Sequence, residues 1–294
     1  MLKYKNFMVL ALIIILATNI AGCGSQAASS VSGTTQSPPG TTSSAVTTAP
    51  QGTTPTLDAI LKLVNTASVG MNTFESKSQM TMNMSLMGIT VKADMTANMT
   101  VDVPGKKFFM GVATQTSGVG QASTTDNQMY LITDTLYTKT NGDSKLDPNT
   151  WYREVLAAAD LTNMWKTQDV GAQIQTLLDS ATLQIVGTET INGIQCYKLK
   201  VNPNMDKFMA YLAASGNDMS AMGITNASQA FKQLDVNIWV NKANYLPAKL
   251  DVVMVFTAQG MDINVTMSST FDKVNQPVTI SLPAAAQAAL PMPA

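Results

Sequence analysis

Residues 74–103 read FESKSQMTMNMSLMGITVKADMTANMTVDV. Up to Leu86 the apolar side chains keep to even positions: Phe74, Met80, Met82, Met84 and Leu86. Glu75, Lys77, Gln79, Thr81, Asn83 and Ser85 take the odd ones. After Gly88 the phase flips, so that Val91, Ala93, Met95, Ala97, Met99 and Val101 are odd and the polar residues even. A period of two describes a strand with one apolar and one polar face. The break at Met87-Gly88 makes the two arms a hairpin. Each arm of about 14 residues would extend roughly 45–50 Å, well past the usual strand of about 5–6 residues. A sheet this long has a large apolar face, and something has to cover it.

Working outward, Thr56 can cap a helix carrying Leu57, Ile60, Leu61, Val64 and Met71, with Asp58 favourably in its first turn. Pro104-Gly105 turns the chain into a third strand through Phe108, Met110 and Val112. The Gly, Ser, Thr and Gln content of residues 114–127 predicts a mobile loop. Short strands follow at 128–131 and 136–139, and Trp151 to Val155 can return as another. Val170, Ile174, Leu177 and Leu178 mark a second helix. A second hairpin turns at Asn192-Gly193. Asn202-Pro203 reads as a helix start, followed by an apolar stripe of Met205, Phe208, Met209 and Leu212. Residues 215–228 look loose.

The last third returns to long strands. One carries Leu234, Val236, Ile238 and Val240; the next carries Leu250, Val252, Met254 and Phe256. Gln259-Gly260 then turns into Met261, Ile263, Val265 and Met267. The total is roughly ten or eleven strands and three helices. Short turns between successive strands imply an antiparallel sheet. The expected architecture is α+β: a long, strongly curved antiparallel sheet with helices on its concave face.

The N-terminus carries Lys3 and Lys5 before an apolar run from Phe7 to Ala17, the pattern of a secretory leader. The run is too short for a spanning helix of about 20 residues. Ile20-Ala21-Gly22-Cys23 resembles the lipobox of bacterial lipoproteins. That resemblance implies residues 1–22 as a signal peptide, and an acylated Cys23 anchoring the mature chain to the extracytoplasmic side of the cell membrane. More than one acyl chain would be needed for a stable anchor. Residues 24–57 contain no charge and are dominated by Ser, Thr, Ala, Gly, Pro and Gln. Such a segment buries too little apolar surface to fold, so 23–56 reads as a tether. Residues 57–286 form one domain, with 287–294 as a loose tail. With Cys23 lipidated, Cys196 has no disulfide partner, and stability rests on core burial.

Removing residues 1–22 takes away two lysines and no acid, leaving 16 basic and 19 acidic residues and a net charge of −3. Arg153 is the sole arginine and no basic cluster occurs, which argues against a nucleic-acid partner. The absence of histidine removes the commonest general base, the usual nucleophile pairs and most zinc sites. No phosphate-binding loop is present, and no cofactor is implied. Asp143 and Asp147 flank a turn without the spacing of a calcium loop. This is not the sequence of an enzyme.

The order of elements is similar to the LolA/LppX-like superfamily of exported lipoproteins. The residues that carry the likeness are Ile238-Trp239-Val240-Asn241-Lys242, Tyr245-Leu246-Pro247-Ala248-Lys249-Leu250, Phe271-Asp272-Lys273-Val274-Asn275 and Pro277-Val278-Thr279-Ile280 with Leu282-Pro283. The resemblance implies an open half-barrel closed by helices, enclosing an apolar cavity for acyl chains. It also implies an alternative, since some proteins of this fold sense the envelope by binding partner proteins.

The chain has twenty methionines. Met80, Met82, Met84, Met95 and Met99 share one predicted face. They are core packing, a deformable wall for acyl chains, or, far less in keeping with a chain lacking histidine, a copper(I) site. The candidate ligand cavity is built from these five with Leu250, Val252 and Met254 on the sheet, and from Phe208, Met209 and Leu212 on a lid helix. A lipid or other amphiphile is the expected ligand. An envelope protein as partner, with no cavity, is the alternative.

Overall fold

The computed structural model describes residues 55–86, 89–118, 122–167, 178, 181–207 and 230–293. Alternation becomes sheet wherever it was strongest. After helix α1 (Leu57–Ser68) come β1 (Thr73–Leu86), β2 (Ile89–Asp102), β3 (Lys107–Ser117), β4 (Ser123–Ile132), β5 (Thr135–Thr140) and β6 (Tyr152–Val155). Helix α2 (Ala158–Thr167) follows, then β7 (Ala181–Ile191), β8 (Ile194–Pro203), β9 (Phe231–Asn241), β10 (Pro247–Ala258) and β11 (Met261–Asp272). A 3-10 turn (Ala284–Ala288) leads to β12 (Leu290–Pro291).

The strands form one twelve-stranded sheet in the order β12-β6-β5-β4-β3-β2-β1-β11-β10-β9-β8-β7. It does not close into a barrel. All pairs are antiparallel except β12–β6, which is parallel. The central contact is non-local: β1 lies between β2 and β11, with Met80 opposite both Met95 and Met267. The hairpin turns work as their residues require. Asn192-Gly193 (φ 48° and 81°) and Gln259-Gly260 (φ 51° and 75°) both hold two consecutive left-handed residues, the geometry whose twist matches flanking strands.

Thr56 caps α1, its Oγ1 accepting from the Ala59 N–H at 3.3 Å. Ile60 and Val64 on this helix are fully buried in the main core with Phe74, Val101, Phe108 and Leu131 of the sheet. A second cluster lies farther along the same sheet face and includes Met80, Met82, Met95, Met254, Ile263 and Val265.

Several expectations change. Among the described residues the sheet has twelve strands rather than ten or eleven. The loop expected at 114–127 is the end of β3 and the start of β4, which pair from Lys107↔Ile132 to Thr116↔Ser123. Its composition suits exposed strand ends as well as a loop. Helix α2 was not anticipated; its Leu161, Met164 and Trp165 pack on the main core, a stripe of only three residues. The helix start at Asn202-Pro203 is displaced: β8 runs through Pro203, and Asn204 Oδ1 accepts from the Lys207 N–H at 3.0 Å instead. The tail is not loose through 293. Leu290 N–H donates to Trp151 O at 2.9 Å and Met292 N–H to Arg153 O at 3.0 Å, while Ala286 and Ala289 bury against Trp151. Alanine signals little by itself, and here it fits because it is small. The helix expected around Val170–Leu177 lies outside the described residues, although Leu178 is buried in the main core.

Candidate functional site

The pairing register sorts the side chains into two faces. On the inner face, Met95, Met80, Met267 and Val252 stand side by side across β2, β1, β11 and β10. Two residues along, Ala93, Met82, Val265 and Met254 make a parallel row, with Met84 and Ile263 beyond it. Leu250 lies on the same face opposite Ser269 and touches both apolar clusters. Seven of the eight sheet residues expected together therefore share one continuous surface. Met99 is the exception in packing: it stands opposite Ser76 and belongs to the core under α1. Phe208, Met209 and Leu212, and Cys23, lie outside the described residues.

No Asp, Glu, Lys or Arg stands on this face along β1–β5 or β7–β11. Its polar groups are hydroxyls and the amides of Asn127 and Gln195. Ser78 and Ser269 share a 2.7 Å hydrogen bond across β1–β11. Most of the methionines are well covered: Met82 is 1% exposed and Met80 6%, whereas Met84, Leu250 and Val252 are half-buried. Met205, Ala230 and Phe231 pack onto the cluster from either side of residues 208–229.

The outer face was not anticipated as a site. Between β3 and β10 it carries an open groove of about 620 Å³. Gln79, Thr81, Thr96, Gln115, Thr266 and Ser268 line it, together with a Lys249–Asp251 pair at 2.7 Å. Asp94 also faces the groove, bonded to Lys92 at 2.7 Å and accepting from Thr81 at 2.7 Å. The lysine hydrogen bond, and then that of Thr81, hold the Asp94 carboxyl below its ordinary value.

Next to this groove the outer face has its own small core. Trp239 is 3% exposed and packs with Cys196 and Ala248. Its indole N–H donates to Glu189 Oε2 at 2.8 Å, while Lys198 Nζ donates to Glu189 Oε1 at 2.8 Å. Lys198 and Lys249 stand 4.8 and 4.5 Å from the ring centroid, within cation–π range. The hydrogen bonds from Lys198 first and Trp239 second hold the pKa of Glu189 below its ordinary value. Burial raises the pKa of Cys196, so this thiol is a packing group rather than a nucleophile. Asp143 and Asp147 are used in local turns, accepting from the N–H groups of Lys145 and Asn149.

A search of characterised proteins by sequence gives no match. Solved structures with similarity include LprF from Mycobacterium bovis, at 16% identity over 76% of this chain and 95% of that one, with a TM-score of 0.40. The lipoprotein LppX from Mycobacterium tuberculosis is 14% identical over 77% and 100%, with a TM-score of 0.37. A LolA superfamily protein from Nitrosomonas europaea is 11% identical over 78% and 96%, with a TM-score of 0.21. LppX and LolA are the two names in the resemblance read from the sequence. The match by sequence is to a family: the chain belongs to the family of unknown function DUF6612, whose model matches residues 56–290.

Proposed function

We propose that this protein is a membrane-anchored extracytoplasmic lipoprotein that binds a lipid or similar amphiphile against the inner face of its sheet. The observation that carries this reading is the uncharged inner surface across ten strands, whose centre is methionine. Unbranched thioethers adapt to chains of varied shape. A face without a cation has nothing to neutralise a buried phosphate or carboxylate, so the acyl chains enter and any charged headgroup stays outside. No covalent chemistry is required. Met80, Met82, Met84, Met95, Leu250, Val252 and Met254 would contact the ligand, with Phe208, Met209 and Leu212 as the lid. Because Met80 and Met82 are already covered, loading requires that cover to move.

The test is native purification followed by organic extraction and mass spectrometry. We expect a stoichiometric amphiphile, lost when Met82 or Met254 is replaced by Asp. Protein that is folded, free of lipid and unable to take up a fluorescent fatty-acyl probe overturns the proposal. The near-complete burial of Met80, Met82, Met95 and Met254 favours a second reading, in which the methionines are core alone and the domain binds an envelope protein. Cross-linking in cells that returns a stoichiometric protein partner, with no lipid extracted, would establish it. The anchor is tested separately: Cys23→Ser is expected to move the protein from the membrane fraction to the soluble extracytoplasmic fraction.

A further inference from the structure

The outer groove has a construction that lipid carriage does not use. Its floor is two parallel rows of side chains. One runs Asp251, Ser268, Gln79, Thr96 and Ala113, and the other runs Val253, Thr266, Thr81, Asp94 and Gln115. Each row crosses five neighbouring strands, a span of about 19 Å at the usual strand spacing. Most of these side chains are short. Larger ones flank them, with Lys77 and Lys249 in the row on one side and Lys92 on the other. That difference in length helps make a trough.

The chemistry of the floor is specific. Gln79, Thr96, Gln115, Thr266 and Ser268 make no side-chain hydrogen bond among the described residues, so their donors and acceptors are free for a ligand. The two carboxylates are neutralised within the protein, Asp94 by Lys92 and Asp251 by Lys249, each at 2.7 Å. Asp251 Oδ1 is nevertheless buried with no hydrogen-bond partner, an acceptor whose desolvation is uncompensated. The site stands at the centre of the sheet, where strands paired on both sides hold it rigid.

We propose that this groove binds a linear, neutral polysaccharide strand. Hydroxyl- and amide-bearing side chains in two rows match a ligand whose polar groups repeat along its length. The floor rows carry two carboxylates and no cation, the lysines standing in the flanking rows, and this disfavours a polyanion. A peptide would instead seek backbone groups at a sheet edge, and the groove lies far from either edge. Asp251 Oδ1 then receives a sugar hydroxyl.

The full chain, its anchor held in detergent, is titrated with two probes: the linear hexasaccharide of glucose and that of N-acetylglucosamine. We expect saturable binding of at least one, with a Kd of about 0.1–1 mM as befits an open site. Gln79→Ala combined with Gln115→Ala lowers affinity at least about fivefold, and Thr266→Trp, which fills the trough, abolishes it. Thr188→Ala, on a distant outer strand, leaves it unchanged. Thermal midpoints check that each variant is folded; if the double variant is not, exposed Thr96→Ala replaces it, with a measurable loss of affinity expected. No saturable binding of either probe up to about 10 mM overturns the proposal, as does wild-type affinity in the folded groove variants. Lipid uptake is unaffected by these substitutions, so the two proposals fail independently.

Discussion

Glu189 is the clearest case of one residue doing several jobs. It receives the Lys198 ammonium and the Trp239 indole at 2.8 Å each, and these bonds depress its pKa. A carboxyl whose folded value lies below its unfolded value adds stability that is fully present above the ordinary range near 4.3. That stability is lost as pH falls through the folded value. Denaturant midpoints should therefore drop as pH is lowered below about 4, and Glu189→Gln should flatten the slope. An unchanged slope would mean that the bonds are spent in solvent. Met82 tests the core. Fully buried beside Val265 and Ala93, its replacement by Ala should cost about 2–5 kcal/mol in denaturant unfolding.

At the scale of elements, the strand ends hold the strictest local requirements. Gly118 closes β3 with φ at 140°, and a Cβ there would lie 2.7 Å from the Thr90 carbonyl oxygen and 2.9 Å from Val91 Cα. Both contacts are with the backbone of β2, which cannot swing away as a side chain would. Gly118→Ala should destabilise by about 1–3 kcal/mol, measured by chemical denaturation. The two sheet edges are protected differently. β7 carries a register shift between Ile185 and Gly187, and such irregularity blunts an edge against pairing with other chains. On the opposite side β6 is covered by β12.

The whole molecule depends on chain closure at that second edge. The final residues return to β6 and seal Trp151 with Ala286 and Ala289. Deleting residues 284–294 should expose this ring and the β6 backbone together. The expected loss is about 2–3 kcal/mol for the buried aromatic surface. Concentration-dependent association by light scattering is also expected, since an unpaired edge is left. A truncated protein with an unchanged midpoint and no association would show that the strap contributes nothing. Across the molecule the sheet also separates two chemistries, apolar within and hydroxyl-rich without. Ligands proposed for the two faces need not compete.

The alternation of residues 74–103 determined two long strands and which side chains share a face, because a period of two is a property of the backbone alone. The same holds for β9–β11 and for the Asn192-Gly193 and Gln259-Gly260 turns, whose residues accept left-handed conformations. Thr56 was legible as a cap for the same local reason. What alternation could not supply is which strands become neighbours. Met80 and Met267 are 187 positions apart, and only tertiary pairing puts them side by side. That pairing also assembles the two polar rows of the outer groove from five strands, each unremarkable alone. It sends Met99 into the core under α1 although Met99 shares its face with Met95. A residue's face is fixed by its own strand, whereas its neighbours are fixed by contacts distant in sequence, and a binding surface is made of neighbours.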